Sequence, residues 1–251
     1  MIIVGTAGWA IPRVVAARFP GDGPHLQRYA SVFEGAEVNS SFHRLHAVRV
    51  YEKWAALTPA GFRFSVKLPR TITHDARLRR ARAPLAAFLD SVAGLGRKLG
   101  PLLVQLPPSL AFDTRVARTF FRLLRELHEG PVVCEPRHAS WLEPRADAVL
   151  NEYCVGRVAA DPVTVPEAGE PGGYLGAGGD GAGAIVYYRL HGAPRKYWDR
   201  YPLERIRTWA ESLRRWPPRA QVWCVFDNTA GSAAMENALE CLEATGGQPP
   251  R

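Results

Sequence analysis

No run of about 18 apolar residues occurs in the 251-residue chain, so no transmembrane helix is expected. The opening Met-Ile-Ile-Val-Gly-Thr carries neither a basic n-region nor a small-residue cleavage site. No secretory leader is read, and a cytoplasmic protein with no membrane association is expected. Cys134, Cys154, Cys224 and Cys241 form no C-x-x-C pair, which removes a thiolate zinc site and a dithiol redox motif. Neither G-x-G-x-x-G nor G-x-x-x-x-G-K-[ST] follows a strand pattern, so a dinucleotide fold and a P-loop have no motif behind them. No G-x-S-x-G elbow is present, and Ser40-Ser41 after a strand end reads as a turn or helix cap rather than a nucleophile. Lysine is scarce, with only Lys53, Lys67, Lys98 and Lys196.

What the chain does have is 47% hydrophobic residues, 22% charged residues and enough length to bury a full core. The formal net charge of +8 is carried almost entirely by arginine, in company with abundant alanine, glycine and proline. That is the composition a GC-rich genome imposes on any protein, so total charge is a weak pointer to a partner. Arg70, Arg77, Arg79, Arg80 and Arg82 form one local basic stretch suited to a phosphate-bearing ligand or nucleic acid.

Short β-branched and aromatic runs alternate with amphipathic ones. Eight strands are predicted near Ile2–Gly5, Ala36–Asn39, Arg63–Lys67, Leu102–Leu106, Val132–Glu135, Val155–Ala160, Ile185–His191 and Gln221–Asp227. The i, i+3, i+4, i+7 spacing of Leu26, Tyr29, Ala30 and Phe33 predicts a helix, as do Leu85–Val92, Val116–Leu127 and Ile206–Leu213. Asp113-Thr114 is a candidate N-cap, and Gly130-Pro131 a stop. Eight β/α repeats in this length point to a single TIM-type (β/α)8 barrel over residues 1–245, with a disordered tail at 246–251. Residues 162–183 hold eight glycines and no apolar periodicity, so an irregular connection, long enough for a lid, is expected between the sixth and seventh strands.

In such a barrel the chemistry gathers at the C-terminal strand ends. Those ends are polar here: Trp9, Glu37 and Asn39, Ser65 and Lys67, Gln105, Glu135 with Arg137 and His138, Asp161, Arg189 and His191, then Asp227 and Asn228. The two-residue period of a strand turns Ser65 and Lys67 inward, and likewise Tyr187, Arg189 and His191, Glu37 with Asn39, and Val133 with Glu135. Buried charges need partners, so Lys67 and Arg189 are expected to pair with Glu37, Glu135 or Asp161.

Glu135, His138, His191 and Lys67 are the candidate catalytic groups, for proton transfer or, at Lys67, for trapping a carbonyl. Glu37, Asn39, Arg137, Arg189, Gln105, Trp9, Asp161, Asp227 and Asn228 are the candidate binding groups, with the cations aimed at an anionic, above all phosphorylated, small molecule. No cofactor is expected. The rival reading is a phosphodiesterase or nuclease holding a divalent metal on Glu37, Glu135, His138, Asp161, His191 and Asp227, although no tight ligand spacing supports it. A third is a non-catalytic nucleotide or nucleic-acid binder using the basic stretch and the loop aromatics Trp9, Phe42, Trp141, Tyr197, Trp198 and Tyr201.

Several of these segments occur as ordered motifs: Gly5-Thr6-Ala7-Gly8-Trp9, Glu37-Val38-Asn39-Ser40-Ser41-Phe42, Phe62-Arg63-Phe64-Ser65-Val66-Lys67 with Thr73-His74, Leu99-Gly100-Pro101 with Gln105-Leu106-Pro107-Pro108, Glu135-Pro136-Arg137-His138 with Ser140-Trp141, and Arg189-Leu190-His191-Gly192. In that order they resemble the YecE-like family, domain of unknown function 72, from Ile3 to about Leu242. The resemblance implies a TIM-type barrel and supplies no reaction. The chain departs from the family pattern at Ala7, a frequent Ser, at His43, often Tyr, and at Phe226-Asp227-Asn228-Thr229, where many relatives read F-N-N-D.

Overall fold

The structure, a computed structural model, describes residues 1–163, 165–177 and 180–247. Strands and helices alternate: β1 (Ile2–Thr6), α1 (His25–Tyr29), β2 (Gly35–Val38), α2 (Val48–Ala56), β3 (Arg63–Lys67), α3 (Arg82–Val92), β4 (Leu99–Gln105), α4 (Thr114–Leu127), β5 (Val132–Glu135), α5 (Pro144–Glu152), β6 (Val155–Arg157), β7 (Ala159–Asp161), β8 (Gly172–Gly173), β9 (Ile185–Leu190), α6 (Leu203–Arg214), β10 (Gln221–Phe226) and α7 (Ala234–Ala244). All eight expected strands are present, the sixth split at Val158 into β6 and β7. The helices α2, α5 and α7 lie in connections where no individual helix was foreseen. The stretch 26–33 forms only the short α1, yet Leu26, Tyr29, Ala30 and Phe33 are all buried. The α4 boundaries follow local chemistry: the Asp113 carboxylate accepts from the Val116 amide at 3.0 Å, satisfying one of the orphan donors of the first turn.

The strands form two mainly parallel sheets, ordered β1-β10-β9-β7 and β2-β3-β4-β5-β6-β8. Among the described residues only the β6–β8 pairing is antiparallel. At one seam Ala7 bridges to Glu37 in parallel register, and the Gly8 amide donates to the Glu37 carbonyl at 2.8 Å. At the other, β6 pairs with β5 and β7 pairs with β9. The fold is therefore mixed α/β with parallel sheets.

Alternation sorts the side chains into two cores. The larger lies between strands and helices, and the smaller holds Ile3, Leu103, Val133, Val158, Tyr187, Trp223 and Val225 on the opposite strand face. Trp223 stacks on Tyr187 with centroids 5.8 Å apart. Space for the indole comes from Gly35, where a Cβ would sit 2.5 Å from Ile3 Cγ2 and 3.1 Å from the Trp223 ring.

Only part of the 162–183 connection is irregular. It forms a helical turn at Pro166–Gly169 and the β8 strand. Arg157 ties it down, donating to the Glu167 and Glu170 carbonyls at 2.9 and 3.1 Å while pairing with Asp147 at 2.8 Å. Residues 164, 178 and 179 of this connection, and 248–251 of the expected tail, lie outside the described residues. Among the described residues no helix is long and apolar enough to cross a membrane.

Candidate functional site

Parallel register brings the polar strand ends to one level. Glu37 stands beside Ser65, Lys67 beside Leu103, Gln105 beside Glu135, and Arg189 beside Val225. Above the Tyr187–Trp223 layer the inner face changes from apolar to charged.

Arg189, fully buried, is the hub. Its guanidinium donates to both Glu37 oxygens, at 2.9 Å from Nε and 2.6 Å from Nη2, to Glu135 Oε2 at 2.7 Å from Nη1, and to Asp227 Oδ2 at 3.1 Å from Nη2. Tyr187 donates its hydroxyl to Glu37 Oε2 at 2.9 Å, with Ser65 Oγ 3.0 Å away. His191 lies between two carboxylates, Nδ1 3.0 Å from Asp227 Oδ2 and Nε2 3.1 Å from Glu135 Oε1. A neutral ring can donate to only one of them. Arg137 closes the cluster from outside, 2.8 Å from Glu135 Oε1 and 2.7 Å from the Tyr197 hydroxyl. The Tyr197 ring stands edge-on to His191, centroids 5.3 Å apart.

Burial and pairing pull in opposite directions at each group. Burial opposes ionisation of Glu135, but Arg137, Arg189 and the hydrogen bond from His191 outweigh it and hold the carboxyl well below the usual carboxylate range. Asp227 is lowered despite its burial by Arg189, His191 and Lys67. Burial disfavours the Arg189 charge, and Glu37, Asp227 and Glu135 more than restore it. Lys67 behaves differently. Only 7% exposed, it makes no ion pair among the described residues and rests its ammonium 4.1 Å from the Phe42 ring centroid. Burial, helped by Arg189, lowers its pKa to about 8 against the pull of Glu37, Glu135 and Asp227. The half-buried Lys196 is lowered to about 8 by burial and Arg137.

Glu37, Glu135, Arg137, Arg189, His191 and Asp227 thus stand in one hydrogen-bonded cluster with Lys67 at its edge. The expected pairing of Lys67 is corrected: the carboxylates go to Arg189, whose planar fork meets several at once. Asp161 is corrected too. Ala160 registers with Arg189 and Asp161 with Leu190, so Asp161 faces outward and pairs with Arg205 at 3.2 Å. His138 is a cap, its Nδ1 accepting from the Ser140 amide at 3.2 Å at the head of a helical turn. Trp9 packs against Trp54 and Phe64, Gln105 donates to the Leu106 carbonyl, and Asn228 joins the Asp199 carbonyl to Asn237. Asn39 lies outside the cluster, its buried Oδ1 without a partner. Ser41 donates to backbone carbonyls, while Ser40 Oγ lies 2.8 Å from His46 Nε2. Tyr187 and Lys196 were not foreseen as site residues, and Tyr197 was expected only as a loop aromatic of the nucleic-acid reading. The face shared by Tyr187, Arg189 and His191 was a usable signal for the first, and nothing local marked Lys196.

A divalent metal does not fit these residues. The carboxylates of the cluster already hold guanidinium groups, and Arg189 occupies the point where they converge. Among the described residues no group of three or more His, Cys, Asp or Glu side chains is arranged to hold an ion.

The family model described as protein of unknown function DUF72 matches residues 3–250. The UPF0759 protein YecE of Escherichia coli (strain K12) is 32% identical over 167 residues, 64% of this chain, and the match spans 59% of that relative's length. The UPF0759 protein YunF of Bacillus subtilis (strain 168) is 23% identical over 97% of this chain and 94% of its own. Two crystal structures of DUF72 family proteins share the fold. EF0366 from Enterococcus faecalis V583 superposes with a TM-score of 0.78 at 21% identity over 98% of this chain and 96% of its own. TM1631 from Thermotoga maritima MSB8 does so with 0.77 at 22% identity over 97% and 98%.

Proposed function

The chain belongs to the DUF72 family, and we propose that it is an enzyme that binds a small phosphorylated anion over its central cluster and transfers a proton there. The observation that carries this reading is the uneven pairing. Arg189 draws in Glu37, Glu135 and Asp227, while Lys67 and Lys196 make no ion pair among the described residues and Arg137 reaches Glu135 from a partly exposed position. Three carboxylates against four cations leave one net positive charge before the histidine is counted, which a phosphate would neutralise.

In this reading Lys67, Arg137 and Lys196 bind the anion and Arg189 positions the carboxylates without touching substrate. Glu135 and Asp227 orient His191, which carries the proton. Lys67, lowered to about 8, accepts a second proton when it is a free amine and binds as an ammonium when the anion arrives. The Tyr197 ring covers His191, so the loop bearing it must move for a ligand to reach the imidazole.

The architecture we propose for this site is a single-domain TIM-type barrel over 1–245. The Ala7–Glu37 bridge and the β6–β7 line support it, since they link the two sheets at both edges. Four free cysteines, three of them buried, agree with a reducing, cytoplasmic location.

The test is calorimetric titration with sugar phosphates and inorganic phosphate. Binding should weaken about tenfold or more in Lys67→Ala and in Arg137→Ala with the fold intact. In wild type it should weaken as pH rises through about 8, where Lys67 and Lys196 lose protons that the bound anion would retain. Wild-type affinity in both variants, or no binding in wild type, removes the anion role.

A further inference from the structure

The basic stretch is not absorbed by this site. Its loop leaves the central cluster at His74, whose pKa is lowered by burial and by Lys67, Arg70 and Arg137 nearby, and then runs outward to α3. Arg70 pairs with Asp75 at 3.1 Å, Arg77 donates to the Ser109 carbonyl at 2.8 Å, and Arg82 pairs with Glu126 at 2.6 Å. Arg79 reaches only to 4.0 Å from Asp113, and Arg80 and Arg115 make no ion pair among the described residues.

Between this loop and α4 lies a cavity of about 780 Å³, the size of a small-molecule site. A second, of about 340 Å³, shares the lining residues Leu78, Arg79, Asp113 and Val116 with it. The larger one has a divided lining. Half-buried Val116 and Leu123 supply apolar surface over a floor of Leu78, Ala81 and Phe120, each 3% exposed or less, while Arg79, Arg80, Arg82 and Arg115 face a single carboxylate, Asp113. Val116, Phe120 and Leu123 follow the i, i+4, i+7 stripe of α4 and span about 10 Å along its axis, the reach of a medium-length alkyl chain.

The backbone here is held in an unusual conformation. Arg77, Leu78 and Arg80, none of them glycine, have φ of 49°, 66° and 50°. Left-handed conformations cost such residues energy, and they cluster at functional positions. This turn sends Leu78 into both cavities and leaves Arg79 and Arg80 on the rim of the larger one.

We infer that this groove is a second ligand site, taking a single-chain amphiphilic anion: an alkyl chain along the α4 stripe with a phosphate or carboxylate head between Arg79, Arg80 and Arg115. A nucleic-acid strand fits less well. The aromatics of the larger lining reduce to Phe120, which is 1% exposed, so no base could stack there.

The probe is dodecyl phosphate, titrated calorimetrically below its micelle concentration against protein carrying Lys67→Ala and Arg137→Ala, so that phosphate held at the central cluster adds nothing to the signal. This background should bind one equivalent. Adding Arg80→Glu with Arg115→Glu should weaken binding about tenfold or more by reversing the rim. Adding Thr119→Trp, a change at an exposed position of the groove lining, should do the same by filling it. All these variants should keep the wild-type circular dichroism, and dodecanol and inorganic phosphate should each bind the background at least about tenfold more weakly than the probe. The inference is overturned if the background shows no saturable binding, if the groove changes leave its binding as it was, or if inorganic phosphate binds it as tightly as the probe. Displacement by an oligothymidylate with steep salt dependence would also overturn it and reassign the groove to nucleic acid.

Discussion

Arg189 and the arginines of the 70–82 loop carry the same charge under opposite conditions. Arg189 is 0% exposed and spends its fork on Glu37, Glu135 and Asp227. Arg70 and Arg82 have side chains 61% and 66% exposed and single carboxylate partners. In water an ion pair gains little over hydration, whereas in a dry interior each member is costly alone and depends on the others. The buried group therefore organises the molecule around it, and the exposed ones remain available to whatever arrives.

The sharpest way to break this contrast is Arg189→Met. It leaves three carboxylates buried with fewer donors and should cost about 4 kcal/mol or prevent folding; a urea midpoint near wild type would show that the cluster is not held by its hub. Lys67→Met should act in the other direction. The folded-state pKa of about 8 lies below the ordinary 10.5, so the unfolded chain binds the extra proton and the charged amine opposes folding below pH about 8. That cost fades as pH rises from about 8 to 10.5. The variant should gain on the order of 2 kcal/mol at pH 7 and little at pH 10.5, and denaturation curves at the two pH values check it. The smallest effect belongs to the surface: Arg82→Ala, which removes an exposed pair with Glu126, should change stability by less than about 0.5 kcal/mol. A loss as large as that of Arg189→Met would erase the distinction between the two regions.

Much of the site was legible because strand alternation is a local property. Once Tyr187, Arg189 and His191 share a face, they must emerge together, and Glu37, Lys67 and Glu135 obey the same rule. Asp161 was misplaced because Ala159-Ala160 offers no contrast of polarity to reveal the inward face; only the register against Arg189 and Leu190 settles it. His138 was ambiguous because a histidine just past a strand end can serve the site or cap the next turn, and its Nδ1 accepts from the Ser140 amide in the capping arrangement.

The sequence by itself determined the order of strands, the alternation that separates an apolar from a charged inner layer, the cap at Asp113 and the family, because each depends on neighbours a few residues apart or on ordered motifs. Which carboxylates converge on Arg189, that Lys67 is left without one, and that Arg79, Arg80 and Arg115 come to rim a groove depend on contacts between residues up to 152 positions apart. Those were decided only when strand register and helix packing set the distances, since the energy of a charge depends on what surrounds it in space.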